Sequence, residues 1–207
     1  MSNLTYNTLI RSSGTSTATT GEATTSLGSN EYQITDTAKQ TWDRQVAPTV
    51  YVASSIVTTG YTVDYLFGII KFDSSQTGAV TVDCNYLPMT EIVGGTNYNL
   101  ELTADVLDTT DIAFARNNSG YRRHSTGFIG ATLSIDRLYD LDSQYRNGLL
   151  NGQSYLVEIR PNTSTVTIRG WFIVESAGLS GDISSLEMEN LNFHLNGDVN
   201  SAFSWRD

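Results

Sequence analysis

The sequence predicts a mainly β fold carrying one short α-helix, and three observations predict it. Apolar and polar residues alternate at period two through several runs, most regularly between Ser125 and Leu195. The 207 residues include only three prolines and are rich in Thr, Ser, Tyr, Val and Ile, the residues that suit a pleated surface. Helical spacing, finally, is clear in one place. After Asp140, which can cap a helix, Leu141, Tyr145 and Leu149 recur at i, i+4 and i+8, and Gly148 and Gly152 offer stops.

Taken in order, residues 1–30 form a Ser/Thr/Gly-rich lead broken only by Leu4, Tyr6, Leu9 and Ile10. So little apolar surface does not offset an ordering entropy of about 1–2 kcal/mol per residue. The lead is therefore expected as a polar N-terminal arm, mobile or ordered against a neighbouring subunit. Glu31 to Thr35 reads as a short strand. Pro48 to Val52, Tyr61 to Tyr65, Gly68 to Phe72 and Ala79 to Tyr86 are four strand-like runs separated by turn signals. The block they make, Trp42 to Pro88, is expected as extra strands of the main fold or as an inserted β-meander. Leu100 to Ala104 reads as a strand, Leu107 to Asp111 as a polar turn, and Arg116 to His124 as a loop with four basic groups.

In the next strand, Phe128 to Ile135, Ala131, Leu133 and Ile135 share one face. Gln153 to Arg160 turns Tyr155, Val157 and Ile159 inward and Leu156, Glu158 and Arg160 outward. Val166 to Glu175 turns Ile168, Phe172 and Val174 one way and Arg169, Trp171 and Glu175 the other, with Gly170 at a bend. Leu186 and Met188 are out of phase with Leu191, Phe193 and Leu195, which predicts a bulge near Glu189 or Asn190.

The length suits one domain spanning 1–207. A net charge of −10 and a pI near 4.5 repel nucleic-acid phosphates, so sequence-reading nucleic-acid binding is a poor fit. No basic-then-apolar leader and no window of about 20 apolar residues is present, so the expectation is synthesis in the cytoplasm without membrane insertion. The lone Cys84 excludes an internal disulfide and reads as a packed thiol on a strand. Asp64, Asp73 and Asp83 are scattered among strands and read as solvated rather than metal-binding. His124 and His194 lie far apart, and no nucleophile elbow, phosphate loop or Cys/His metal spacing appears, so neither enzymatic activity nor a cofactor is expected. Glu187 and Glu189 stand at i and i+2, a spacing that mimics a glycosidase pair but is more common on a solvated face.

The order Leu107-Asp-Thr-Thr-Asp111, Gly120-Tyr-Arg-Arg-His124, Gly127-Phe128, a long strand, a short helix and strands ending in Glu175-Ser176 and Leu186 to Gly197 resembles the major tail tube proteins of long-tailed bacteriophages. The resemblance covers roughly residues 98–197. It implies a two-sheet antiparallel β-sandwich, barrel-like, with one short flanking α-helix, and subunits joined into hexameric rings that stack as a hollow tube for the genome. On that reading the partners are other copies of the chain and further tail proteins: terminator, tape measure, baseplate and, in a contractile tail, sheath. DNA passes through the lumen without specific binding, and the protein resides in the virion tail. Glu158, Glu175, Glu187 and Glu189 are then candidates to face the lumen, and Arg116, Arg122, Arg123 and His124 to make inter-subunit contacts. The long lead and the Trp42 to Pro88 block depart from the family pattern and leave the stacking arm open. A carbohydrate-binding β-sandwich is the alternative, resting on the strands and eleven tyrosines.

Overall fold

A computed structural model of the chain describes residues 8–117, 121–140, 144–161, 166–182, 186–197 and 203–206. The first strands are β1 (Leu9–Ser13), β2 (Thr17–Gly28), β3 (Glu31–Ile34), β4 (Thr49–Val52), β5 (Ser55–Val57), β6 (Tyr61–Asp64), β7 (Ile69–Phe72), β8 (Val80–Tyr86) and β9 (Met89–Glu91). Then follow β10 (Gly95–Asp108), α1 (Ile112–Asn117), β11 (His124–Leu138), α2 (Gln144–Asn151), β12 (Ser154–Arg160), β13 (Thr167–Ser180), β14 (Met188–Leu195) and β15 (Phe203–Arg206). The fold is mainly β, with two antiparallel sheets.

The chain divides into two compact units. The first holds Met1–Val93, Ser154–Phe172 and Asn196–Asp207, and the second Gly94–Gln153 and Ile173–Leu195. In the first unit one sheet runs β5-β4-β8-β2-β3-β7-β6, and the other runs β13-β12-β1-β9 with β15 also on β13. Strand β13 passes through both units; in the second it continues the order β10-β11-β14-β13.

Residues 8–30, expected as an arm, are strands of the first unit instead. Arg11 to Ser13 of β1 pair with β9 while Leu9 to Ser12 pair with β12. Strand β2 pairs with β8 over Thr17 to Ala23 and with β3 over Thr24 to Gly28. Most of β2 is exposed, so its order comes from ladder hydrogen bonds to two neighbours more than from burial. Residues 1–7 lie outside the described residues. The Trp42 to Pro88 block supplies β4 to β8 of the seven-stranded sheet, whose core gathers Ile34, Trp42, Val50, Ile70, Phe72 and Val82. Leu66, Phe67, Ile69 and Leu87 pack with Leu156 and Trp171, so the two sheets of this unit meet through apolar side chains.

That second cluster corrects the reading of β12. Tyr155 to Ile159 are all buried, because Leu156 on the supposed outer face belongs to the inter-sheet core. Arg169 and Trp171 of β13 are buried on the same account.

In the second unit Ala131, Leu133 and Ile135 face Leu191 and Phe193 across an unbroken β11–β14 register. No bulge occurs near Asn190: Glu189 itself occupies the core phase, while Leu186 lies outside the strand and exposed. Helix α2 lies over this apolar face, its Tyr145 meeting Phe193 edge-to-face at 5.7 Å. It ends where expected, at Gly152 (φ 63°), with Gln153 N–H donating to the Gly148 carbonyl at 3.0 Å, the bond of a Schellman stop. Leu141 lies outside the described residues. Arg116 and Asn117, expected in a loop, belong to the short helix α1 (Ile112–Asn117).

Candidate functional site

The second unit presents a strand that the described residues leave largely uncovered. Strand β10 pairs with β11 from Gly95 to Asp108 and has no partner on its other edge among the described residues. Residues directly opposite in an antiparallel pair share a face. Tyr98, Leu100, Leu102 and Ala104 therefore lie on the side of Ile135, Leu133, Ala131 and Ile129. Near its base that side is the core, since Ala131, Leu133 and Ile135 are buried. Further out the cover ends: Leu102 is 51% exposed, Ile129 69% and Val106 70%. Between Ala104 and Val106 the register slips, β11 advancing from Ile129 to Thr126, which places a bulge at Gly127-Phe128. The site is crowded, since a Cβ on Gly127 would stand 3.1 Å from the Asp105 Cβ and 3.2 Å from Leu107.

The tip of the hairpin carries the four basic residues picked out in the sequence, all exposed. Arg122 lies 3.5 Å from Asp108 and Arg123 3.8 Å from Asp111. Backbone bonds tie the tip further: Arg123 N–H donates to Thr110 Oγ1 at 2.8 Å and Thr109 N–H to the Arg123 carbonyl at 2.8 Å. His124 opens β11 and Arg116 stands in the last turn of α1, whose first residue Ile112 is 85% exposed.

The opposite face of this sheet is a polar ladder. Asn97, Asp136 and Asn190 form one row, Asn99, Ser134 and Asn192 a second, and Glu101, Thr132 and His194 a third. Asn190 Nδ2 donates to Asp136 Oδ1 at 2.6 Å, and Asn192 Nδ2 to Asn190 Oδ1 at 2.8 Å and to Ser176 Oγ at 2.9 Å. Glu175 stands 3.6 Å from His194, and a groove of about 190 Å³ runs between Asn99, Ser134, Glu175 and Asn192. With Glu175 included, the rows hold three carboxylates and neither lysine nor arginine. Repeated in an assembly, they would make an acidic, amide-rich surface.

Of the four acidic candidates, Glu175 and Glu187 are exposed, whereas Glu158 and Glu189 are fully buried. The last two cannot present charge to an open channel. Glu158 accepts from Arg11 Nε at 2.8 Å and Arg169 Nε at 2.8 Å, with Arg11 Nη2 also in contact and Arg160 Nε at 3.0 Å. Burial pushes its carboxyl up, but Arg169 and Arg11 together outweigh that and hold it below the ordinary value. Glu189 accepts from Arg137 Nε at 2.8 Å, with Arg146 Nε at 3.3 Å. Arg137 and Arg146 thus neutralise a carboxylate beneath α2, and the Arg137 guanidinium stacks on Tyr145 at 5.2 Å.

The remaining reactive side chains serve the fold. Cys84 is buried, and burial pushes its thiol up to about 12, far from a reactive thiolate. Asp83 accepts from Tyr51 Oη at 2.8 Å and from Gly21 N–H at 2.6 Å, while Asp64 caps Leu66 N–H at 3.0 Å. Among the described residues no cluster of His, Cys, Asp and Glu is arranged to hold a metal, and no helix is long and apolar enough to cross a membrane. Sequence reasoning missed Glu101, Asp136 and the asparagine rows. The signal was present as alternation of Asn97, Asn99 and Glu101 with Tyr98, Leu100 and Leu102.

No family model matches the chain, and no curated protein matches it. Among solved structures, the tail of an empty GTA particle with C6 symmetry is similar at 17% identity and a TM-score of 0.48, over 58% of this chain and 87% of that one. The virion of a native gene transfer agent particle is similar at 17% identity and a TM-score of 0.48, over 57% and 89%.

Proposed function

We propose that the chain is a structural, non-enzymatic protein of a long-tailed bacteriophage that assembles into stacked hexameric rings, forming the tail tube through which the genome is delivered. One observation carries the reading: the edge of β10, unpaired among the described residues and continuous with an apolar face that they do not cover. A fourteen-residue edge of this kind invites strand pairing and aggregation unless a partner takes it. In a ring, a neighbouring copy supplies that partner. The polar ladder then faces the bore, where Glu101, Asp136 and Glu175 repel phosphates rather than hold them. The order of motifs from Leu107 to Gly197 supports the same reading, and the other tail proteins are its remaining partners.

Negative-stain microscopy of the purified protein, with light scattering across a concentration series, tests this. Rings or tubes are expected. A strictly monomeric protein at high concentration in near-physiological buffer overturns it. The carbohydrate-binding alternative has in its favour the groove of amides and hydroxyls beside Glu175. Phe193, the aromatic residue of that lining, is buried with its ring packed edge-to-face on Tyr145, so it offers no open platform for a sugar ring, and tube assembly is preferred.

A further inference from the structure

The apolar tip of the hairpin has a counterpart in the same unit. Strand β11 begins at the tip with His124 and ends at Leu138, about 45 Å away at the rise of an extended strand. At that far end Tyr139, Leu179, Ser180, Gly181, Glu187 and Met188 line a pocket of about 220 Å³. Among the described residues its apolar members are open to solvent: Leu179 of the lining and Leu186 next to Glu187 are both exposed. The sheet thus has an exposed apolar projection at one end and an exposed apolar hollow at the other.

Their charges are complementary. At the tip, Arg122 and Arg123 have aspartate partners, while Arg116 has no ion pair among the described residues. At the hollow, the exposed Glu187 likewise has none among the described residues. Two tips placed together would oppose Arg116 to itself, and two hollows would oppose Glu187 to itself. A tip against a hollow pairs them.

We infer that the α1 end of the hairpin of one copy, led by Ile112 and Val106, docks into the Tyr139–Leu179–Met188 pocket of a second copy, with Arg116 meeting Glu187. The contact is heterologous, head to tail, so each docked copy presents a fresh hollow or tip and the contact can propagate. It rests on the self-assembly reading and names the surface that receives the hairpin. The contact is stacking rather than lateral, because tip and hollow lie at opposite ends of one strand and not on opposite edges of the sheet.

The test is site-directed cross-linking of the full chain, which the native sequence makes clean because Cys84 is buried and its thiol is pushed up to about 12. Ile112→Cys and Leu186→Cys are prepared separately, both at exposed positions, and mixed with a short bismaleimide under conditions where light scattering reports assembly. A cross-linked dimer is expected in the mixture and not in either variant alone. As a second readout, Arg116→Glu should raise the concentration needed for assembly about three- to tenfold, and adding Glu187→Arg in the same chain should restore it. Assembly without a tip-to-hollow cross-link overturns this inference and leaves the tube reading standing. Dimers from Ile112→Cys alone replace it with a tip-to-tip contact. A protein that stays monomeric at every concentration overturns both.

Discussion

Strands β12 and β10 are the two extremes of this chain. Every residue of β12 from Tyr155 to Ile159 is buried, including a glutamate, while not one of the fourteen residues of β10 is buried. Both alternate polar with apolar side chains, so the difference does not lie in their own pattern. It lies in what the rest of the chain supplies: β12 has β1 and β13 beside it and the Leu66–Phe67 cluster over it, and among the described residues β10 has only β11. The first unit is finished by its own residues. The second leaves exposed the surface that the proposed assembly would use.

That comparison can be broken most forcefully from the covered side. Removing residues 2–30 takes β1 from between β12 and β9 and β2 from between β8 and β3. The expected outcome is loss of the cooperative fold, read by circular dichroism and thermal melting; a truncated protein that melts as the full chain does would return the segment to the role of an arm. Next in size, Glu158→Leu leaves Arg11, Arg160 and Arg169 without their shared carboxylate and should cost about 3–5 kcal/mol in urea unfolding. The acid limb of wild-type stability depends on the same carboxyl. Since Glu158 is held below its ordinary value of 4.5 when folded, its stabilisation is complete above that value and is lost as pH falls through the lower folded one. Glu158→Leu should flatten that acid loss.

Arg137→Met is smaller, about 2–3 kcal/mol, because Arg146 still faces Glu189. The smallest effect on stability is the most informative about β10. Leu102→Asp or Val106→Asp should change unfolding free energy by no more than about 0.5 kcal/mol, since neither side chain is buried, yet abolish assembly in the light-scattering series. If either substitution unfolded the protein, β10 would be part of the monomer's core after all.

What was legible in the sequence follows the reach of each interaction. Ala131, Leu133 and Ile135 were readable because alternation is local, and the Gly152 stop because the left-handed turn needs only its own residue. Four of the strand runs between Pro48 and Tyr86 were readable for the same reason. Glu158 was misplaced because its neutralising partner Arg11 lies 147 residues earlier, and nothing in the flanks of either residue announces the pair. The supposed slip near Glu189 had the same origin: a charged residue in the core phase looks like a fault in the period until Arg137 is found opposite it. Strand β2 was hidden differently. Its threonines and alanines lack an apolar face, and its place is set by ladders to β3 and β8, which composition does not record.

The polar ladder has a consequence for motion. Asn190, Asn192, Asp136 and Ser176 spend much of their hydrogen-bonding capacity on one another, along the sheet, so fewer donors point outward. A long polymer sliding over such a surface meets shallow, closely spaced energy wells in place of deep, discrete ones. Its drag is then set by water near the wall more than by bonds to the wall. Repeated around a channel, the rows would act as a lubricated lining, low in friction by virtue of being already satisfied.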